Sequence, residues 1–172
     1  MDSAARASLK NTVLERLLCL FSGGTDVGRL YNDLLDIAMT AMPCEAASIF
    51  HTDRKGGLVL VAARGRVAEK LIGLKLKKGQ GIAGACASDC RILPVSDVAR
   101  DPRHSAAVAK ALGFETRSLL AAPIIHQERI LGVIEIINKS GNNEFQRHEI
   151  DLIDRVARTG GDRLMQLLEK RP

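Results

Sequence analysis

The run Gly79, Gln80, Gly81, Ile82, Ala83, Gly84 brackets an apolar helix start with glycines. The first N–H groups of such a helix have no partner within it, and they can receive a small anion or polar ligand without a charged side chain. Cys86 and Cys90 follow on the same short helix, four residues apart, where paired thiols could do redox chemistry. Cys86 lies between small apolar residues, and at Cys90 the charges of Asp89 and Arg91 oppose each other, so buried, inert thiols are expected. His51, His104, His126 and His148 lie far apart without ligand spacing, and no metal site is expected from them.

The elements that must hold these residues follow from apolar periodicity. Leu9, Val13, Leu14, Leu17, Leu18 and Phe21 recur at helical spacing until Ser22, Gly23 and Gly24. Thr25 is placed to cap a second helix, whose apolar positions Val27, Leu30, Leu34, Ile37, Ala38 and Ala41 run to Pro43. Residues 46–50 and 58–63 read as a hairpin turning through Arg54, Lys55, Gly56 and Gly57. Alternation of Ile72, Leu74 and Leu76 with lysines predicts a third strand, and a short strand is expected over 92–95. Residues 96–106 read as a loop over the sheet, followed by a short helix over about 105–112 that ends at Gly113. Residues 117–125 and 129–138 form a last hairpin, nearly continuously apolar, as strands covered on both faces should be. From Asn143 to about Lys170 the pattern is helical again, with Asn143 and Gln146 at capping-box spacing. Gly160 and Gly161 interrupt it, which implies a bend or a close neighbour.

A chain of 172 residues with 46% hydrophobic content builds one core, and two independent domains would be cramped. Aromatics make up 3%, so a base-stacking platform or aromatic cage is not expected. The net charge of +5 is spread along the chain, which argues against nucleic acid as a partner. No run reaches the roughly 18 apolar residues of a membrane span, and no secretion signal is visible. Four cysteines without a CxxC pair suit a reducing compartment, and a cytoplasmic protein is expected.

The glycine run, then Pro94, Asp97, Asp101, Pro102 and Arg103, then Arg117-Ser118-Leu119-Leu120-Ala121-Ala122-Pro123-Ile124, then Gly132 through Asn138 and Lys139, form a succession that resembles a GAF domain. That family comprises small-molecule-sensing and dimerisation modules of phosphodiesterases, phytochromes and bacterial signalling proteins. The resemblance covers about residues 25–158. It implies an α+β fold, related to PAS domains, with a central antiparallel sheet of about six strands, flanking helices and long terminal helices. It divides the chain into an N-terminal helix at 1–24, the GAF domain at 25–158, and the end of a C-terminal signalling helix at 159–172.

By resemblance to cyclic-nucleotide-binding members, the ligand residues are Ser48 on the first strand, Ile82 and Ala83 at the helix start, Asp97 in the lid, Thr116 at the approach to a central strand, and Glu135 on the last strand. Positions that are aromatic in several binders read Ala63 and Ala99, which removes a stacking contribution of about 1 to 3 kcal/mol per base. Arg64 would favour an anionic ligand, or else is a solvated charge at a strand end. The phosphodiesterase-type signature is met by Asn138, Lys139 and Phe145, with Glu149 in place of an Asp and Ile150 in place of the final Glu. These residues would form a structural clasp, in which Lys139 and Glu149 tie the last strand to the last helix over Phe145.

The expectation is therefore a regulatory sensor domain for a small polar ligand, with cAMP or cGMP as candidates and no catalytic residue or metal. It would form a homodimer through Leu14, Leu17, Leu18, Val156, Leu164 and Leu168 and act on an output domain or partner protein outside this chain. The bland alternative for those six is that both helices simply cover their own sheet. The competing functions are a ligand-free dimerisation scaffold and, third, a GAF-type methionine sulfoxide reductase using Cys86 or Cys90.

Overall fold

A computed structural model describes residues 2–24, 26–104, 113–142 and 144–170. Six strands form one antiparallel sheet: β1 (Cys44–Thr52), β2 (Leu58–Arg64), β3 (Lys75–Leu76), β4 (Leu93–Val95), β5 (Leu119–His126) and β6 (Arg129–Lys139), in the spatial order β3-β2-β1-β6-β5-β4. The two longest pairings, β1 with β6 and β5 with β6, put β6 at the centre. Its burial and that of β5 explain their nearly unbroken apolar sequence, which Glu135 interrupts in β6.

Three long helices cover one face: α1 (Ser3–Ser22), α2 (Val27–Ala41) and α5 (Arg147–Glu169). Leu34, Leu35, Ile153, Val156 and Leu164 pack there against Ile49, Ile124, Ile134 and Ile136. The other face carries α3 (Ala68–Leu71), α4 (Gly81–Asp89) and the 3₁₀ turn Val98–Arg100, with Ile82, Ala83 and Cys86 over Phe50, Leu60 and Val133. Successive residues of β5 and β6 feed the two cores in turn, as the two-residue period of a strand requires.

Several sequence expectations change in detail. The cap expected at Thr25 lies outside the described residues, and Asp26 is the residue that caps α2, accepting from the Arg29 N–H at 2.6 Å. Likewise α5 begins after Gln146, whose N–H donates to Glu149 Oε2 at 2.8 Å, and the cap expected at Asn143 is outside the described residues. The short helix expected over 105–112 also falls there. The third strand is only Lys75–Leu76, because 68–71 takes a helical turn first; Leu74 and Gly73 still bond Leu60 through their backbones.

The pair Gly160 and Gly161 does not break α5. A Cβ on Gly161 would sit 2.0 Å from the Ile125 carbonyl oxygen, and one on Gly160 would sit 2.7 Å from a Leu34 methyl. The glycines let α5 lie directly on β5 and α2. That same packing corrects the expected partner surface: Leu17, Val156 and Leu164 are buried within the chain's own core, while Leu14 and Leu168 are partly buried and Leu18 is 71% exposed. Among the described residues no helix is long and apolar enough to cross a membrane.

Candidate functional site

On the face opposite the three long helices, a cavity of about 160 Å³ lies over β1, β2 and β6, with Leu71 and Leu74 on one side and His104, Phe114 and Thr116 on another. Its walls are mainly apolar. The polar exceptions on the floor are Ser48 and Glu135, which occupy directly opposed positions on β1 and β6. Ser48 Oγ donates to Glu135 Oε2 at 2.8 Å. Glu135 is 8% exposed, and no cationic side chain lies within ion-pair distance among the described residues. Burial pushes its carboxyl up to about 7, and the Ser48 hydrogen bond only partly opposes this.

Thr116 borders the cavity because Asn138 fixes the residues on either side of it. Asn138 Oδ1 accepts from the Arg117 N–H at 2.7 Å and the Ser118 N–H at 3.3 Å, and its Nδ2 donates to the Glu115 carbonyl at 2.8 Å. The same Nδ2 reaches Glu45 Oε2 at 2.8 Å, and Arg117 also pairs with Glu45. Those hydrogen bonds, Asn138 first, hold the Glu45 carboxyl below its usual range. Asn138 has φ +54°, a left-handed conformation that asparagine tolerates better than most residues. It closes β6 by joining that strand to the start of β1 and the approach to β5.

The neighbouring Lys139 is held more simply. Its Nζ lies 2.8 Å from Glu149 Oε2 and 2.7 Å from the Glu144 carbonyl, with the Lys139 and Glu149 side chains 9% and 18% exposed. Phe145 packs against the core beside the long helices. This pair joins the end of β6 to the first turn of α5, away from the cavity.

The remaining candidates do not converge on the cavity. Arg64 borders it, but its guanidinium turns to α2, bonding Asp36 Oδ1 at 3.0 Å and Asn32 Oδ1 at 2.6 Å. Its charge is neutralised there and is neither a free anion hook nor simply solvated. Ile82 and Ala83 are core residues of α4, 4% and 2% exposed, and do not line the cavity. Asp97 is exposed and pairs with Arg100 at 3.3 Å. Phe50, His104 and Phe114 also border the cavity, although the sequence assigns none of them to a ligand site. Phe50 sits in the alternation of β1, but Phe114 follows a turn glycine in an aperiodic stretch that gives no signal. They supply aromatic edges that Ala63 and Ala99 do not.

The cysteines stand apart from each other. Cys86 is fully buried, and burial, with the Glu135 charge adding to it, raises its thiol far above the usual range. Cys90 is exposed, at the left-handed C-cap of α4. Neither lines the cavity. Among the described residues no group of three or more His, Cys, Asp or Glu side chains could hold a metal ion.

The sequence profile of the GAF domain matches residues 26–162, most of the chain. The chain belongs to the GAF domain family. A curated relative, the cGMP-specific 3′,5′-cyclic phosphodiesterase of Drosophila erecta, is 28% identical over 116 residues, which is 63% of this chain and 10% of that enzyme. The chain thus spans about a tenth of that relative's length. Among solved structures, the GAF domain of a Coxiella burnetii phosphoenolpyruvate-protein phosphotransferase superposes with a TM-score of 0.81 at 21% identity, covering 99% of this chain and 98% of that one. The free methionine-R-sulfoxide reductase of Neisseria meningitidis, solved with its substrate, gives 0.80 at 17% identity, covering 99% and 96%. At these identities the structural likeness establishes the GAF fold, and the same fold carries both a phosphotransferase's domain and a reductase.

Proposed function

We propose that this GAF domain is a regulatory sensor that takes a small polar ligand into the cavity over β1, β2 and β6. The observation that supports this reading is Glu135: a buried carboxylate facing a cavity, with one hydroxyl donor and no counter-charge among the described residues, is costly unless a ligand supplies donors. The ligand so recognised presents N–H or ammonium donors to Glu135 and an apolar body to Leu71, Leu74 and Phe114. Thr116 offers one further hydroxyl at the rim.

Cyclic GMP and cyclic AMP remain the candidates drawn from the resemblance to phosphodiesterase domains. A purine edge has suitable donors, but about 160 Å³ is below the roughly 300 to 1,000 Å³ of common ligand pockets. Nucleotide binding therefore requires the wall carrying His104, Phe114 and Thr116 to draw away from the sheet. That movement would give the bound state a form to transmit to a partner or output domain. The reductase reading has less support, because neither Cys86 nor Cys90 reaches the cavity.

The test is calorimetric titration with cyclic GMP, cyclic AMP and small primary amines, on wild type and on Glu135→Gln and Thr116→Val. Saturable binding by one of these, weakened at least tenfold in Glu135→Gln, supports the sensor. Binding unchanged by both substitutions overturns this cavity as the site, and no binding by any of them favours the ligand-free scaffold.

A further inference from the structure

A second cavity, of about 260 Å³, lies between the end of α1, the start of α2 and the last turns of α5, on the far side of the sheet from Glu135. Its walls include Leu20, Leu30, Ile37 and Leu167, and its charged residues are Arg16, Arg29, Arg163, Asp26 and Asp33. Arg163 is the unusual member, because it is 5% exposed and no carboxylate lies within ion-pair distance of it among the described residues. Its guanidinium donates to the Gly23 and Gly24 carbonyls, each at 3.1 Å, and to Gln166 Oε1 at 3.3 Å. Those acceptors satisfy hydrogen-bonding capacity but leave the positive charge without a counter-ion among the described residues, which a low-dielectric site penalises.

The rim charges do not cancel it. Asp26 is engaged as the N-cap of α2, accepting from the Arg29 N–H, and Asp33 sits 3.8 Å from Arg29 Nε, a loose and exposed contact. Arg16 donates to Thr40 Oγ1 at 2.6 Å and has no acidic partner among the described residues. Three arginines against two aspartates leave the cleft net positive.

We propose that this cleft is a second ligand site, which takes a small organic anion: its carboxylate or phosphate meets Arg163 with Arg16 and Arg29 at the rim, and its apolar part lies against Leu20, Leu30 and Leu167. The geometry suits an effector, because the occupant touches α1, α2 and α5 together and opposes their separation. Nothing in this proposal depends on the cavity over the sheet being occupied.

Benzoate is the probe for the carboxylate source and phenyl phosphate for the phosphate source, with benzylamine and benzyl alcohol as the cationic and neutral controls of matching shape. Amide chemical shifts of the ¹⁵N-labelled protein are followed during each titration. Saturable shifts at Gly23, Gly24 and Asp33 with either anion, and not with the two controls, are expected, while Ser48 and Glu135 stay still. Whichever anion binds more tightly identifies the source. Arg163→Lys is expected to weaken binding about tenfold, since one charge-assisted hydrogen bond is worth at least that factor. In case Arg163→Lys does not fold, the exposed double variant Arg16→Gln/Arg29→Gln is measured beside it, with a similar loss expected. The proposal is overturned if the controls shift these amides as the anions do, if neither anion shifts them, or if affinity is unchanged in the folded variants.

Discussion

Ser48 and Glu135 face each other across the β1–β6 ladder, 87 residues apart in sequence, with Ser48 Oγ donating to Glu135 Oε2 at 2.8 Å. The register places both side chains on the cavity face, between Ala47 and Ile49 and between Ile134 and Ile136, which point to the helical core. A one-residue slip of either strand would exchange those faces, so the packing of Ile49, Ile134 and Ile136 is what delivers the pair to the cavity. The pair is therefore fixed by the fold, and the Glu135 carboxylate faces the cavity.

Glu135 makes the empty protein sensitive to pH in a definite direction. Its carboxyl moves from an ordinary value of 4.5 up to about 7 on folding, so the folded state binds the proton more tightly than the unfolded chain does. The stability from this group is fully present below about pH 4.5 and is lost as the pH rises through about 7. Glu135→Gln keeps an acceptor for Ser48 and removes the titration. At pH 8 it is expected to be more stable than wild type by up to about 3 kcal/mol, with the difference shrinking towards pH 5. Urea unfolding of both proteins across that range checks this, and a parallel dependence in the two would refute it.

Asn138 combines a left-handed backbone with a buried side chain that bonds two other segments, Glu45 at the start of β1 and residues 115–118, and the two contributions are separable. Asn138→Gly keeps the conformation and loses the hydrogen bonds, leaving the Arg117 and Ser118 N–H groups without their side-chain acceptor. Asn138→Ala loses both. We expect a cost of about 2 to 4 kcal/mol for the glycine variant and about 1 kcal/mol more for alanine, measured by denaturant unfolding. Equal stability of the two variants would show that the positive φ carries no strain.

Much of this architecture is legible in the chain because it rests on local periodicity. The helix patterns of 9–21 and 27–41, and the nearly continuous apolar runs of β5 and β6, report burial directly. The Lys139–Glu149 contact follows from the resemblance to the phosphodiesterase-type signature, which puts one residue at the end of a strand and the other in the first turn of the next helix. Less legible was where polar groups spend their charge. Arg64 looks available in sequence, but Asp36, on a helix packed on the other side of β2, takes its guanidinium. The cavity-lining aromatics Phe50 and Phe114 come from β1 and from the approach to β5, and no local pattern brings them together. Nor does sequence distinguish a helix face turned to a partner from one turned to its own sheet, as Leu17, Val156 and Leu164 show.

The four thiols should divide into two classes. Cys19 and Cys90 are exposed, Cys44 is partly buried with its thiol raised to about 11, and Cys86 is fully buried. Because the thiolate is the reacting species, an aromatic disulfide reagent at pH 8 should modify Cys19 and Cys90 in the native protein and the other two only after unfolding. Mass spectrometry of the digested adducts identifies the sites. Fast modification of Cys86 would mean that solvent reaches the core beneath α4, and would revive the reductase reading.

Gly160 and Gly161 are adjacent on α5, and helix propensity alone would make alanine better than glycine by about 1 kcal/mol at either position. Packing reverses this, unequally. At Gly160 the added methyl meets the end of the Leu34 side chain at 2.7 Å, which another rotamer can relieve at some cost in core packing. At Gly161 it meets the Ile125 carbonyl oxygen at 2.0 Å and the carbonyl carbon at 2.6 Å, and strand backbone paired to β6 turns aside less readily than the end of a side chain. The helix must then lift off β5, exposing apolar surface around Ile124 and Val156. Gly161→Ala is therefore expected to cost more than about 3 kcal/mol, and Gly160→Ala about 1 to 2 kcal/mol. Thermal unfolding of the two variants decides it: if Gly161→Ala melts at or above Gly160→Ala, the close seat of α5 on β5 is not what these glycines provide.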